Sequence, residues 1–541
     1  MVNRYAFTRT LSSILNPLSS IFASSPHAVS SHHLTRWLFL RGLGLVYFTA
    51  FVSLWVQLSG LIGSRGILPA ADFLTAVYSQ LGAQSYYYLP TLFWLNTSDT
   101  FLHLVCGGGA LLSLLLIVGI APGPILLLLW AFYLSLMVGG QDFLAFQWDN
   151  LLLETGFLAI FFAPWQFWPK LIHESPPAPV WLWLLRWLLF KLMFSSGAVK
   201  LLSGDPTWRD LTALNYHYET QPLPAWTSWY AHQLPAWFQK SSVVGMFVIE
   251  LIVPFLIFAP RRLRFIGCAA LVALQLFIIL TGNFAFFNWL TIVLCLLLLD
   301  DAFWRRWLPH RLTAQIPNAF SASAEIGRGS HGWNGFLAWF YPLDPANPRP
   351  ILLVRMQQIL SLALAVLIFL LSSAHLVRLV APLPRPVQQA LVWIAPFRSI
   401  NSYGLFAVMT TTRPEIIIEG SNDGESWQAY EFKWKPGDPL RRPTFVAPHQ
   451  PRLDWQMWFA ALDTYQNNPW LINLMLRLLE GSPEVLALLD HNPFPDAPPR
   501  TIRAMLYLYR FTDFNTAQPN SAWWQREQRL QYAPVLSRAS Q

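Results

Sequence analysis

Residues 37–59 read WLFLRGLGLVYFTAFVSLWVQLS, from Trp37 to Ser59. About 20 predominantly apolar residues are what a helix needs to cross the hydrocarbon core of a bilayer. Gly60 to Ala70, which holds Gly63, Gly66 and Pro69, reads as a turn-rich exit from that span. Further apolar runs follow at 101–119, 124–139, 150–165, 181–202, 243–259, 265–281, 284–299 and 351–380. Pro122 and Pro124 divide one long run, because proline removes a helix donor and clashes with the preceding turn. Gly282-Asn283 divides another. The expected fold class is a polytopic α-helical membrane protein of about nine spans with a C-terminal extramembrane mixed α/β domain.

Composition agrees with this reading. The 541 residues are 54% hydrophobic and 12% charged, against roughly 25% charged in soluble domains. Mean hydropathy is +0.38. The net charge of +8 comes from basic residues between apolar runs, so it reads as membrane topology and not as a nucleic-acid surface. Arg4, Arg9, Arg36 and Arg41 precede the first acidic residue, Asp72, which places the N-terminus in the cytoplasm. The loops with Arg261, Arg262 and Arg264 and with Arg305, Arg306 and Arg311 then fall on the same side, and an odd number of spans puts the chain after 380 outside. About forty residues, broken by prolines, precede the first span, which is a poor cleavable signal. Cys106, Cys268 and Cys295 all lie in apolar runs, so neither a disulfide nor a zinc site is expected.

The domain reading follows: 1–36 an N-terminal cytoplasmic segment, 37–300 a multispanning domain with outside loops, 301–350 a cytoplasmic loop, 351–380 the last span and 381–541 the extramembrane domain. In that last part, 415–420 reads as a strand and Asn422-Asp423-Gly424 as a hairpin turn. Residues 427–434 alternate as the returning strand, and 454–463, 469–479 and 483–490 read as short helices.

Four ionisable residues lie inside apolar runs: Glu154, Lys191, Lys200 and Glu250. Such groups cost roughly 2.5–3.5 kcal/mol at a helix centre on insertion scales, so they read as paired, as proton-handling or as snorkelling side chains. Depth along the runs suggests Lys191 with Glu250 and Lys200 with Glu154. Lys191 and Lys200 are nine residues apart and point in opposite directions on an ideal helix, so they should not share a partner. The Gly107-Gly108-Gly109 run inside a span reads as a site of close helix packing. His217-Tyr218-Glu219 offers acid/base groups or a packed polar loop. No G-x-S-x-G, H-E-x-x-H or phosphate-loop pattern occurs. In the tail, Trp455, Trp458 and Phe459 share one helical face. That face reads as core, as an interfacial belt or as an exposed apolar surface for a folding client.

The chain resembles the lipase maturation factor family from the first span to about Thr512. The residues that carry the resemblance are Phe146-Gln147-Trp148-Asp149-Asn150-Leu151-Leu152-Leu153-Glu154-Thr155-Gly156-Phe157, Trp208-Arg209-Asp210-Leu211-Thr212, His217-Tyr218-Glu219-Thr220-Gln221-Pro222, Gly282-Asn283 and Asn288-Trp289-Leu290-Thr291. They continue in the tail with Tyr403-Gly404-Leu405-Phe406, Trp434-Lys435-Pro436-Gly437-Asp438-Pro439, Arg452-Leu453-Asp454-Trp455-Gln456-Met457-Trp458 and Asn492-Pro493-Phe494. The resemblance implies a multispanning, chaperone-like protein that helps secreted lipases reach their folded state without a cofactor. It places such a protein in the endoplasmic reticulum membrane of a eukaryote or the inner membrane of a bacterium. The implied partners are the bilayer and an exported lipase or other secreted client, met by the tail. The candidate client-binding residues are Trp455, Trp458, Phe459, Arg441, Arg442 and Asp454. The tail has no cysteine, so no tail thiol can serve a redox role. A shorter stretch, Gly197-Ala198-Val199-Lys200-Leu201 with Trp208, is similar to the membrane domain of vitamin K-dependent γ-carboxylase. That similarity implies an alternative, an intramembrane enzyme acting on a lipid or polypeptide through Lys200, Glu154 and His217.

Overall fold

The computed structural model describes residues 32–169, 176–309, 351–514 and 522–538. Most of the expected N-terminal segment and most of the loop 301–350 lie outside the described residues. Among the described residues, seven helices are long and apolar enough to cross a membrane: α1 (His33–Trp55), α2 (Asp99–Val118), α3 (Pro122–Gly139), α5 (Pro179–Leu202), α6 (Ala236–Phe258), α7 (Arg261–Thr281) and α9 (Ile351–Val377, apolar from Met356). Two shorter helices lie among them, α4 (Gln147–Phe162) and α8 (Phe287–Leu298). These elements correspond one for one to the apolar runs of the sequence.

Close approach is built where glycine allows it. A Cβ on Gly109 of α2 would overlap the Phe51 ring of α1, and one on Gly107 would lie 2.8 Å from Trp55. The third helix begins at Pro122, where a missing N–H costs nothing. The sixth is irregular: a π-helical turn at Val248–Ile252 passes into 3₁₀ turns over Val253–Phe258, which hold Pro254.

The tail contributes a four-stranded antiparallel sheet in the order β2-β1-β5-β6, with β1 at Arg413–Ser421, β2 at Gln428–Ala429, β5 at Thr501–Phe511 and β6 at Trp524–Ser537. Helices α10 (Arg452–Ala461) and α11 (Pro469–Glu480) pack on it. The turn at Asn422-Asp423-Gly424 is present. Gly424 has φ +80°, and the Asp423 carboxylate accepts from the N–H groups of Glu425 (2.8 Å) and Ser426 (2.7 Å).

The returning strand over 427–434 is not continuous. Its first part, β2, pairs with β1. Tyr430 then turns inward against Phe494, and Glu431–Phe432 (β3) pairs with Leu489–His491 (β4) in a second, two-stranded sheet. The Tyr430 ring is buried at this break. The helix expected over 483–490 closes after Leu486, and β4 follows it.

All described contacts of the tail with the bundle fall at one end. Gln450 meets α1 at Gln57, Gly404 meets Gln147 at the start of α4, and Thr444 meets Asn283 between α7 and α8. The opposite helix ends meet one another, as in His33 N–H to Asp301 (2.8 Å) and Arg261 to Asp300. The ends alternate as a serpentine bundle requires.

Candidate functional site

The seam between tail and bundle is made of buried polar groups, and most of the quoted motif residues meet there. Arg452, at the first turn of α10, is fully buried and forms a fork on Asp149 at the start of α4, with N–O distances of 2.9 and 3.0 Å. Its Nη1 also donates to the Phe143 carbonyl (2.8 Å), and the Tyr133 hydroxyl donates to the same carboxylate. A paired, bidentate geometry is what makes a buried charge tolerable.

A second buried group joins the sheet to the short helix Leu214–Thr220 and the residues that follow it. Arg413 on β1 donates to the carbonyls of Glu219 (2.6 Å), Gln221 and Pro222 (2.9 Å), and its guanidinium lies 5.2 Å from the Trp524 ring. Glu415 bridges Arg413 (2.7 Å) and Lys435 (3.0 Å). Asn283 is a third clamp: its amide donates to Leu223 and Thr444 carbonyls and accepts from the N–H groups of Val446 and Ala447. The short Gly282-Asn283 interruption is thereby a docking point.

The residues expected to bind a client fall unevenly in this geometry. Trp455 is 3% exposed and packs edge-on against Trp148, with ring centroids 4.7 Å apart. Trp458 is 8% exposed and donates to the Thr220 carbonyl (2.8 Å). Asp454 is buried and accepts from the N–H groups of Trp434 (2.8 Å) and Lys435 (2.9 Å). Burial raises its pKa while those N–H groups pull it down. Arg441 is tied to the Phe432 carbonyl (2.5 Å). Phe459, at 41%, and Arg442 are the exposed members of the set. The aromatic face of α10 is therefore chiefly packing between tail and bundle, and Phe146, Trp148 and Phe284 are the rings that cover Trp455.

The four intramembrane charges do pair, but not as depth suggested. Lys191 donates to Glu154 Oε1 at 2.6 Å, and Lys200 donates to both oxygens of Glu250, at 2.7 and 2.9 Å. The expected partners are exchanged. Gly197 explains one half: a Cβ there would lie 2.9 Å from the Glu250 Cβ, so α5 and the π-helical turn of α6 approach closely one turn before Lys200. Lys191, on the opposite face of α5, meets α4 instead. The two lysines do have separate partners, as their nine-residue spacing requires.

Glu154 is thus removed from the alternative catalytic set. Lys200 and His217 border a common cavity, while Glu154 Oε2 is saturated by the Asn401 backbone N–H (2.9 Å), the Asn401 amide (3.2 Å) and the Tyr403 hydroxyl (2.7 Å). His217 sits between Phe406 and Phe284, and burial followed by the nearby Lys200 pushes its pKa down to about 4. Nothing local marks Arg413, Glu415, Lys435, Asp149 or Asn401 as partners, since each reads as an ordinary polar residue until the fold joins it to a distant one.

The family described as "Lipase maturation factor transmembrane domain" matches residues 34–306, and "Lipase maturation factor C-terminal domain" matches residues 399–534. Lipase maturation factor 2 of Xenopus laevis is 39% identical, with 94% of this chain and 83% of that protein covered. The human protein of the same name is 38% identical over the same shares. Lipase maturation factor 1 of Bos taurus is 37% identical, covering 93% of this chain and 89% of its own length. No solved structure matches.

Proposed function

Because the chain belongs to the lipase maturation factor family, we propose that it acts as a membrane-embedded maturation factor whose clients are exported lipases. It is an integral multi-pass membrane protein. The observation that carries the proposal is the family match across both the membrane and the C-terminal parts. A folding client exposes apolar surface and aggregates unless that surface is shielded, and a tail anchored rigidly at the membrane can offer such a shield where the client emerges. Binding, and not bond-making, is the work assigned to it.

The orientation proposed is N-terminus in the cytoplasm and tail outside, supported by the arginines ahead of Asp72 and in the loop at 261–264. The compartment would be the bacterial periplasm or the lumen of the endoplasmic reticulum, according to source. Reporter fusions at Arg264 and Asn422 should report opposite sides, and a common side would overturn this orientation. Client contact is assigned to the outward surface of the tail, where Phe459 and Arg442 reach solvent. A second exposed aromatic group, Tyr230, Phe445 and Phe514 with Trp226 between the first two, spans the outer loop and the tail.

The test is deletion of the gene followed by assay of exported lipases. Lipase protein should be made but with low specific activity or in aggregates. Normal activity would remove lipases as the clients.

A further inference from the structure

The membrane part contains a cavity of about 500 Å³ bordered by α5, α6, α7, α8 and the short helix Leu214–Thr220, with Phe406 of the tail in its lining. That volume lies within the roughly 300–1,000 Å³ typical of small-molecule sites. Small residues face it, Ser196 on α5 and Gly245 on α6. A Cβ on Gly245 would meet no atom within 4 Å.

The lining carries polar groups at two levels. At the tail-facing end stand Lys200 with Glu250, both buried, and the half-buried His217 ring. Gln275 with Asn288 lies at the level of Met193, seven residues and about 10 Å further in along α5. The Gln275 carbonyl accepts from Asn288 (2.8 Å), while its amide has the Met193 sulfur at 3.8 Å as partner. No described residue makes a hydrogen bond to the His217 ring, which is held by aromatic contacts. Around Gln275 the wall is apolar, with Leu192, Met193, Leu274 and Ile278. Leu192 lies eight residues before Lys200 on the same helix, about 12 Å deeper. The outer surfaces of α6 and α7 expose Val244, Val248, Ile252, Phe277 and Leu280, so the lateral boundary of the cavity is a surface that meets lipid.

Charge narrows the occupant. Lys200 is neutralised by both oxygens of Glu250, and a histidine with a pKa near 4 is uncharged at neutral pH. A phosphate head would therefore be buried without a free cation among the described lining residues, and its desolvation would go uncompensated. Hydroxyl and ester groups would find both donors and acceptors there.

We propose that this cavity binds an uncharged membrane lipid of the glyceride class, with its hydroxyl and ester head among Lys200, Glu250 and His217 and its acyl chain running past Gln275 toward Leu192. The site is separate from the client surface on the tail and does not depend on the lipase reading. A lipid seated there would bridge α5, α6 and α7 beneath Phe406 and so brace the bundle under the tail.

The experiment uses the full chain in lipid nanodiscs with a photoreactive, clickable monoacylglycerol. Irradiation should label residues of α6 and α7 that line the cavity. Excess unlabelled monoacylglycerol should suppress the labelling, and Gly245→Trp, which fills the open space, should lower it at least fivefold without loss of the folded, protease-resistant tail. If Gly245→Trp does not fold, Ser196→Leu fills the same cavity from the opposite wall and is held to the same criterion. A phosphatidic acid probe should label these residues weakly. Labelling that competitor does not suppress, that survives a folded cavity-filling variant, or that is equal with phosphatidic acid would overturn the assignment.

Discussion

Two lysine–glutamate pairs stand nine residues apart on α5, and their surroundings differ. Glu154 gives one oxygen to Lys191, and its other oxygen takes three donors from Asn401 and Tyr403, so both oxygens are held by fixed protein groups. Glu250 gives both oxygens to Lys200 and stands in the wall of a cavity. The first pair is a rivet through which the tail is fastened to the bundle. The second is a closed charge at the edge of an open space. The same two residue types on one helix thus serve assembly in one place and line a site in the other, and the neighbours decide which.

The comparison breaks most readily at Glu154. Glu154→Ala leaves Lys191 buried without its counter-ion and strips the acceptor from Asn401 and Tyr403. A loss on the order of 3–5 kcal/mol is expected, read as a lower melting temperature in detergent and as rapid proteolysis of the tail. A second change, Lys191→Leu, should recover part of it. A tail that stays docked in Glu154→Ala would show that the pair is not a fastening.

The next effect is one of pH. His449 bonds Ser53 of α1 through Nδ1 at 2.9 Å, and burial first, then Arg452 and Lys433, pushes its pKa down to about 4. His217 has a similar value. The unfolded chain takes up these protons near pH 6.5 and the folded chain only near 4. Stability is therefore complete above about 6.5 and is lost as pH falls toward 4, by at most about 3 kcal/mol per histidine. Melting temperatures between pH 7.5 and 4.5 should fall accordingly, and His449→Phe should flatten that slope.

At the open pair the expected effect is smaller. Lys200→Met leaves Glu250 beside a cavity that can admit water or a ligand head, so the loss should be roughly 1–3 kcal/mol, the cost of one unsatisfied group. The same change removes the cation that helps hold His217 neutral, so the His217 pKa should rise, measurable by NMR on ring-labelled histidine. If Lys200→Met proves as damaging as Glu154→Ala, the two pairs are equivalent and the distinction fails.

What the sequence conveyed and what it withheld follow one physical division. Apolar runs mark helices because the bilayer acts on each segment separately, so even the short α4 and α8 were legible. The hairpin turn was legible because Asn422, Asp423 and Gly424 act locally. Partners across the seam were not, since Arg452 and Asp149 are 303 residues apart and nothing local joins them. The long strands β5 and β6 were missed for a related reason. Their ladder is a tertiary product with register shifts between Ile502 and Tyr507, and much of β6 is exposed, which blurs its alternation. The charged residues inside the spans were found, but their pairing rested on depth alone and missed the close approach that Gly197 permits.

The smallest stability effect belongs to Phe459, and it separates packing from recognition most sharply. Trp455 and Trp458 cannot report on a client, because each is buried in the seam and its loss would disturb the tail by roughly 3–5 kcal/mol. Phe459 lies on the same helix, touches Trp458 at a centroid distance of 4.9 Å and Phe146 at 6.0 Å, and keeps 41% of its surface exposed. Phe459→Ser should cost no more than about 1 kcal/mol, since a partly exposed ring has less transfer free energy to lose. The protein should remain inserted, with its tail protease-resistant, so any fall in exported lipase activity would be a fall in client handling. A drop in specific lipase activity with normal levels of the variant would place the contact at the outward edge of α10. Unchanged lipase activity would remove that edge, and the corresponding substitution at Phe445 and Phe514 would then test the aromatic group that joins loop and tail.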